Sequence, residues 1–329
     1  MVKMLVDGVW RADDTVTRDT EGRFARPSTQ FRSWITPDGA AGPTGDAGYR
    51  AERGRYHLYV SLACPWAHRT LIFRKLKGLE DVVSVSVTHW FWGDEGWTFA
   101  PGPRVTPDPV FGADKLYQVY ATALAGYTGR CSVPVLLDKA TRTIVSNESS
   151  EIIRMFNSAF DGVGARTGDF YPAPLRSEID AVNARVYETL NNGVYRCALA
   201  ANQTVYEDAT RALFATLDWL EERLATRAFV VGEAPTEADW RLFTTLLRFD
   251  PVYYSLFRCN WRRIADYPRL NALLERLVRV PSVAETVDLA HIKGHYYTTF
   301  TQRVSPSVVP IGPKPPAWAV ELGLATDAL

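Results

Sequence analysis

Residues 56–69 read Tyr56-His57-Leu58-Tyr59-Val60-Ser61-Leu62-Ala63-Cys64-Pro65-Trp66-Ala67-His68-Arg69. The first six alternate and are β-prone, so they predict a strand. Cys64-Pro65 breaks it. From Trp66 to Lys77 the apolar residues Ala67, Leu71, Ile72 and Leu76 recur at helical spacing. Pro65 suits a first helical turn, where its missing N–H costs nothing. Val82 to His89 (VVSVSVTH) alternates again and predicts a second strand. Strand, helix and strand in that order imply a parallel pair joined by a helical crossover.

Beyond this unit, residues 90–128 form a long Gly/Pro/aromatic insertion. Segments of that length without a periodic pattern are usually functional or disordered, and Trp90, Phe91, Trp92, Trp97 and Phe99 argue for an ordered one. Ser132 to Leu137 predicts a strand, 138–142 a turn and Thr143–Ser146 a short strand that completes an antiparallel hairpin. Asn147 is placed to cap a helix starting at Glu148 that carries Ile152, Ile153 and Phe156. The order β-α-β, then β-β-α, is the thioredoxin-like plan. After a loose segment at 158–175 the chain reads as helical, with candidates at 176–200, 205–226, 236–249 and 268–279. Thr236-Glu237-Ala238-Asp239 resembles a capping box in which Asp replaces the commoner Glu. The fold expected is α/β followed by all-α. It divides into an extended, irregular N-terminal arm (1–55), a thioredoxin-like domain (56–160), a helical domain (172–290) and an aromatic, Pro-rich C-terminal extension (291–329).

Two domains also suit a chain of 329 residues, and 47% apolar residues supply their cores. Lys+Arg and Asp+Glu balance at 37 each, which removes the electrostatic case for a nucleic acid or an anionic membrane surface. No run approaches the ~20 apolar residues that span a bilayer, and Met1–Arg11 does not read as a secretory signal, so a cytoplasmic setting is expected. The four cysteines, at 64, 131, 197 and 259, form no CxxC pair, which argues against a zinc site and a disulfide framework.

A free cysteine is more often a buried structural residue than a reactive one. Cys64 differs in position. At the junction of a strand and a helix, backbone N–H groups and the helix dipole favour a thiolate, the reactive form. Ala67 stands where dithiol redox proteins carry a second Cys, so resolution must come from a small external thiol, which points to glutathione. Val133-Pro134 is the second element. Pro is poor chemistry at the start of a core strand, and in the thioredoxin-like plan this bond is cis and turns the Val133 N–H and C=O toward the thiol, where they can pair with a peptide like an added strand. Third, in Asn147-Glu148-Ser149-Ser150 the N–H groups of a helix start and the Ser149 hydroxyl can hold a carboxylate, while the Glu148 carboxylate can hold an ammonium. A γ-glutamyl group carries both charges on one carbon.

These elements, in this order, resemble glutathione transferases. A finer pattern is carried by Tyr56–Thr70 (YHLYVSLACPWAHRT), Trp90–Phe99 (WFWGDEGWTF), Val145–Met155 (VSNESSEIIRM), Leu190–Cys197 (LNNGVYRC) and His291–Tyr297 (HIKGHYY). It resembles the glutathionyl-hydroquinone reductases, the Xi class, over most of the chain. The resemblance implies a helical glutathione-transferase domain at the C-terminus, a homodimer, and glutathione as co-substrate with no bound cofactor. It implies that Cys64 attacks the sulfur of a glutathionyl-hydroquinone to give a mixed disulfide that a second glutathione resolves. It further implies that Tyr195 and Tyr296 hydrogen-bond the ring hydroxyls, that Trp97 packs over glutathione, and that Arg130 partners the glycyl carboxylate. Without the family, the two tyrosines, His291 and His295 would read as structural groups.

Other readings stay open at this point. An omega-like glutathione thiotransferase needs Cys64, Val133, Glu148 and Ser149 but neither tyrosine. A papain-like protease needs a distant His and Asn, and the Cys-Pro-Trp-Ala context speaks against it. A non-catalytic ligand-binding protein would tolerate loss of the thiol. A Ser-type conjugating transferase is disfavoured because a mixed-disulfide former occupies the nucleophile position.

Overall fold

In the computed structural model, which describes residues 2–13, 16–45, 47–300 and 308–324, the arm begins as a β-hairpin. Strand β1 (Val2–Val6) pairs antiparallel with β2 (Val9–Asp13) around Asp7-Gly8. Both turn residues have positive φ, 49° and 78°, the conformation that a two-residue hairpin turn requires and that Asp-Gly supplies. Two further short strands, β3 (Trp34–Thr36) and β4 (Gly48–Arg50), lie parallel. The expectation of an irregular arm therefore missed four strands. The Asp-Gly signal between two apolar runs was there to be read. Parts of the arm (1, 14–15 and 46) and of the C-terminal extension (301–307 and 325–329) lie outside the described residues.

The central sheet follows. Its strands are β5 (Tyr56–Val60) and, after helix α1 (Pro65–Leu76), β6 (Val83–Val87). The insertion then contributes helix α2 (Leu116–Ala123), and β7 (Gly129–Arg130) joins the arm by pairing with β1. Strands β8 (Val135–Asp138) and β9 (Thr143–Ser146) precede helix α3 (Ser149–Ser158). Strand order is β6-β5-β8-β9, with β5 parallel to β6 and antiparallel to β8. This is the thioredoxin-like plan, and β5 at its centre is buried at every residue.

A fully buried strand has to satisfy its polar side chains. The His57 ring lies between two hydroxyls of β6, Nδ1 2.7 Å from Ser84 Oγ and Nε2 2.9 Å from Ser86 Oγ. Burial pushes its pKa down to about 4. The folded chain thus holds the neutral ring while the unfolded chain takes a proton near the ordinary value. Stability is expected to fall as pH drops from about 6.5 to 4, by about 3 kcal/mol from this group. Urea titrations at neutral pH and at pH 4 would show this slope reduced in His57→Gln; an equal slope in both proteins would remove His57 as its source. The insertion is ordered from the same strand. The Tyr59 hydroxyl donates to Asp108 Oδ1 (2.7 Å), and the Asp108 carboxylate accepts from the N–H groups of Val110, Phe111 and Ala113.

The second unit comprises Val16–Arg26 together with the chain from Asp169, while Pro27–Gly168 belongs with the first. The helix expected over 176–200 is interrupted. Helix α4 (Arg176–Val186) runs into a π-helical turn at Tyr187–Asn191, and α5 (Gly193–Leu199) follows. Such insertions often accompany functional positions. Then come α6 (Gln203–Arg223), α7 (Glu237–Arg248), α8 (Pro268–Val278), α9 (Leu289–Thr299) and α10 (Ala317–Glu321). The capping box at α7 forms as read. Asp239, pushed up to about 6 by burial, accepts from the N–H groups of Thr236 and Val230 at 2.8 Å each. Aromatic residues masked α9 in the sequence, because its buried face is built mainly from His291, His295, Tyr296 and Tyr297, with Ile292 as its one large aliphatic residue. Among the described residues no helix is long and apolar enough to cross a membrane.

Candidate active site

Cys64 is the N-cap residue of α1. Its backbone is extended, its carbonyl accepts the His68 N–H at 3.0 Å, and Pro65 occupies the first turn. The helix therefore starts immediately beyond the thiol, with no acidic residue in its first turn to oppose a thiolate. Cys64 is partly exposed, whereas Cys131, Cys197 and Cys259 are buried. Burial also pushes the Cys131 thiol up to about 12 and the Cys259 thiol well above its ordinary value. Hydrogen bonds, from Cys259 first, draw Cys197 down. Reagents in solution thus meet Cys64 among the four.

The Cys64 Sγ donates to the Val133 carbonyl at 3.6 Å, and the Val133–Pro134 bond is cis. The structure so brings together two of the sequence elements. The third stands at α3, with one change. Glu148, not Asn147, is the N-cap, and its Oε1 accepts the Ser150 N–H at 3.0 Å and the Ser150 hydroxyl at 2.8 Å. Asn147 is occupied elsewhere: its side chain donates to the Tyr120 hydroxyl (3.2 Å) and its Oδ1 accepts from the Phe31 N–H (3.4 Å), so it ties down the arm. Thr29 of the arm donates to Glu148 Oε2 at 3.2 Å. The Ser149 hydroxyl accepts from Arg69 Nη1 at 3.5 Å, and the Arg69 guanidinium lies 4.6 Å from the Trp66 ring centre. Arg69 and Thr29 escaped the sequence reading. Arg69 is 1% exposed, a buried cation linking α1 to the start of α3. Its place four residues after Pro65, within the first turns of the helix that follows the thiol, was the available signal.

Trp97 and Arg130 sit on other elements. Trp97 is buried in the insertion, 6.4 Å from Trp92 between ring centres, and its carbonyl accepts the Leu116 N–H. Arg130 lies on β7 opposite Met4 of the arm hairpin.

In the second unit Tyr195 on α5 and Tyr296 on α9 meet: their hydroxyls are 2.6 Å apart although 101 residues separate them. The Tyr253 hydroxyl is 3.2 Å from that of Tyr296. Phe257 lies against all three rings at 5.1–5.6 Å between centres. Burial pushes the Tyr253 and Tyr296 hydroxyls well above the ordinary phenol range, so both stay protonated and can donate hydrogen bonds at any physiological pH. Tyr253 was missed because it lies in a π-helical turn after α7, with no motif around it.

A partly exposed thiol at a helix start, beside a peptide carbonyl and a capped helix rich in hydroxyls, can hold a γ-glutamyl peptide and exchange disulfides with it. A cluster of neutral phenols among aromatic rings can hold an oxygenated aromatic ring.

Comparison with known proteins bears on both. Residues 63–159 match the family described as glutathione S-transferase, N-terminal domain, and residues 203–276 match glutathione S-transferase, C-terminal domain. The chain is similar to the glutathionyl-hydroquinone reductase PcpF of Sphingobium chlorophenolicum, with 53% identity over 95% of this chain and 97% of that one. It is similar to the glutathione-bound structure of YqjG from Escherichia coli K-12, with a TM-score of 0.88 and 47% identity over 95% and 96% of the two chains. It also matches a glutathione S-transferase omega-like 2 of Schizosaccharomyces pombe, with 45% identity over 90% and 95%.

Proposed function

Because the chain belongs to the glutathionyl-hydroquinone reductases, the Xi class of the glutathione transferase family, we propose that it reduces glutathionyl-hydroquinones to hydroquinones with glutathione as co-substrate. The observation that carries this reading is Cys64, the one partly exposed thiol, at the start of α1 and 3.6 Å from the Val133 carbonyl.

Glutathione would lie with its cysteinyl backbone along Val133 and its γ-glutamyl end at Glu148 and Ser149. Trp97 would cover it and Arg130 would meet its glycyl carboxylate. Tyr195 and Tyr296 donate to the ring oxygens and favour the keto tautomer, in which the sulfur-bearing carbon has already gained a proton. Cys64 thiolate attacks the glutathione sulfur. A sulfur–sulfur bond forms, the carbon–sulfur bond breaks, and its electron pair restores the aromatic ring, leaving a phenolate that takes up a proton. A second glutathione thiolate attacks the mixed disulfide, releasing oxidised glutathione and Cys64 thiolate. The sum is one conjugate and one glutathione giving one hydroquinone and one disulfide, in two half-reactions. In this reading the enzyme works as a homodimer in the reducing cytosol, where glutathione is kept.

The test is incubation of the full chain with glutathionyl-menadiol and glutathione, with chromatographic detection of menadiol and oxidised glutathione in equal amounts. No menadiol above the enzyme-free control would end the proposal. Turnover of a glutathione–hydroxyethyl mixed disulfide alone would favour the omega-like thiotransferase.

A further inference from the structure

Arg26 belongs to the arm in sequence but clusters with the helical unit. Its contacts fix it there. Its Nε donates to the Asn192 side-chain oxygen at 2.8 Å, and its guanidinium carbon lies 5.1 Å from the Tyr195 ring centre and 5.5 Å from that of Phe24. Asn192 immediately precedes α5, the helix that carries Tyr195, and its side chain makes no capping bond there, so a single short segment holds both the phenol and the amide that aims the cation at it. The Leu190-Asn191-Asn192-Gly193 stretch thereby gains a purpose beyond positioning Tyr195.

We propose that Arg26 is a positioning residue of the ring site, supplying through Tyr195 the fixed positive charge against which a substrate oxygen becomes a phenolate. This rests on the hydroquinone reading of the same tyrosines. When the carbon–sulfur bond breaks, negative charge appears on the oxygen that the phenol pair holds. Neutral hydroxyls alone stabilise it by hydrogen bonds. A cation over the ring of one donor strengthens that donor and adds a field of the right sign. The groups facing the pair are the Tyr253 hydroxyl, the His295 ring beside Tyr296 at 5.1 Å, and the buried Arg248, whose charge acts on Tyr253 and Tyr296. Arg26 is the cation that lies on the ring of Tyr195 itself. A planar guanidinium can stack on Tyr195 while its Nε bonds Asn192; an ammonium can supply charge but not that geometry.

The experiment uses Arg26→Met and Arg26→Lys in the full chain. The first readout is the apparent pKa of 4-nitrophenol, followed by its absorbance in the presence of saturating protein. Wild type is expected to lower it, Arg26→Met to return it toward the value in buffer, and Arg26→Lys to fall between. The second is kcat/KM for glutathionyl-menadiol, expected to drop about tenfold in Arg26→Met, mainly in kcat, and to recover in part in Arg26→Lys. Reduction of the glutathione–hydroxyethyl disulfide should change much less. Equal 4-nitrophenol titrations in wild type and Arg26→Met, or no binding of 4-nitrophenol at all, would overturn the assignment, as would parallel loss of both activities. If the proposed reduction is absent in wild type but the 4-nitrophenol shift is present and depends on Arg26, the substrate reading fails while the cation's action on a phenolate stands.

Discussion

Cys64→Ala is expected to lower reduction of glutathionyl-menadiol by a factor of about 10³ or more while glutathione still binds. Sulfur is the atom attacked, so the step needs a second sulfur in line with the carbon–sulfur bond. Cys131, Cys197 and Cys259 are buried and cannot stand in for Cys64. The glutathione contacts proposed at Val133, Glu148 and Ser149 come from backbone and side chains that the substitution leaves in place. Calorimetric titration with glutathione therefore separates binding from chemistry. Wild type incubated with conjugate alone should show one glutathione added at Cys64 by mass spectrometry, and Cys64→Ala none. An adduct on another cysteine, or more than a tenth of wild-type turnover in Cys64→Ala, would refute the assignment.

The second large effect is expected from the tyrosine pair. Tyr195→Phe/Tyr296→Phe should reduce kcat for the conjugate by about 10² or more, because the donors to the developing phenolate are removed without loss of ring packing. Their hydroxyls are 2.6 Å apart, so they act as one unit and the single substitutions should not add to the double. Removing the Tyr296 hydroxyl also deprives Tyr253 of its partner at 3.2 Å, at a stability cost of about 1 kcal/mol, which thermal unfolding will report. Reduction of a glutathione–hydroxyethyl disulfide, which has no ring oxygen, should stay within about twofold. Unchanged conjugate reduction in the double variant would move the enzyme to the omega-like thiotransferases. A parallel fall in both activities in a folded protein would assign the tyrosines a general structural part.

Local chemistry explains what was legible beforehand. The alternation in β5 and β6, the helical spacing after Pro65 and the turn before Thr143 are short-range signals, and the sheet forms where they put it. The cap at α3 shows the limit. Asn147 and Glu148 are both competent cap residues, and the choice falls to Glu148 because Asn147 bonds Phe31 and Tyr120, residues distant in sequence. The break at 187–191 was likewise hidden, since the π-helical turn at Tyr187–Asn191 contains no Pro or Gly to mark it and the chain stays helical on both sides.

By itself, the sequence determined a cysteine at a strand-to-helix junction and the thioredoxin-like order around it, because both depend on neighbours a few residues apart. It also placed tyrosines at 195 and 296. Only the tertiary structure decided that they touch, that Tyr253 and Phe257 complete their cluster, and that Arg26 leaves the arm's company to lie on Tyr195. The bond between Tyr253 and Tyr296 joins residues 43 positions apart and that between Arg26 and Asn192 residues 166 apart. They depend on how helices pack, and packing follows from shape and burial across the whole unit rather than from any local pattern.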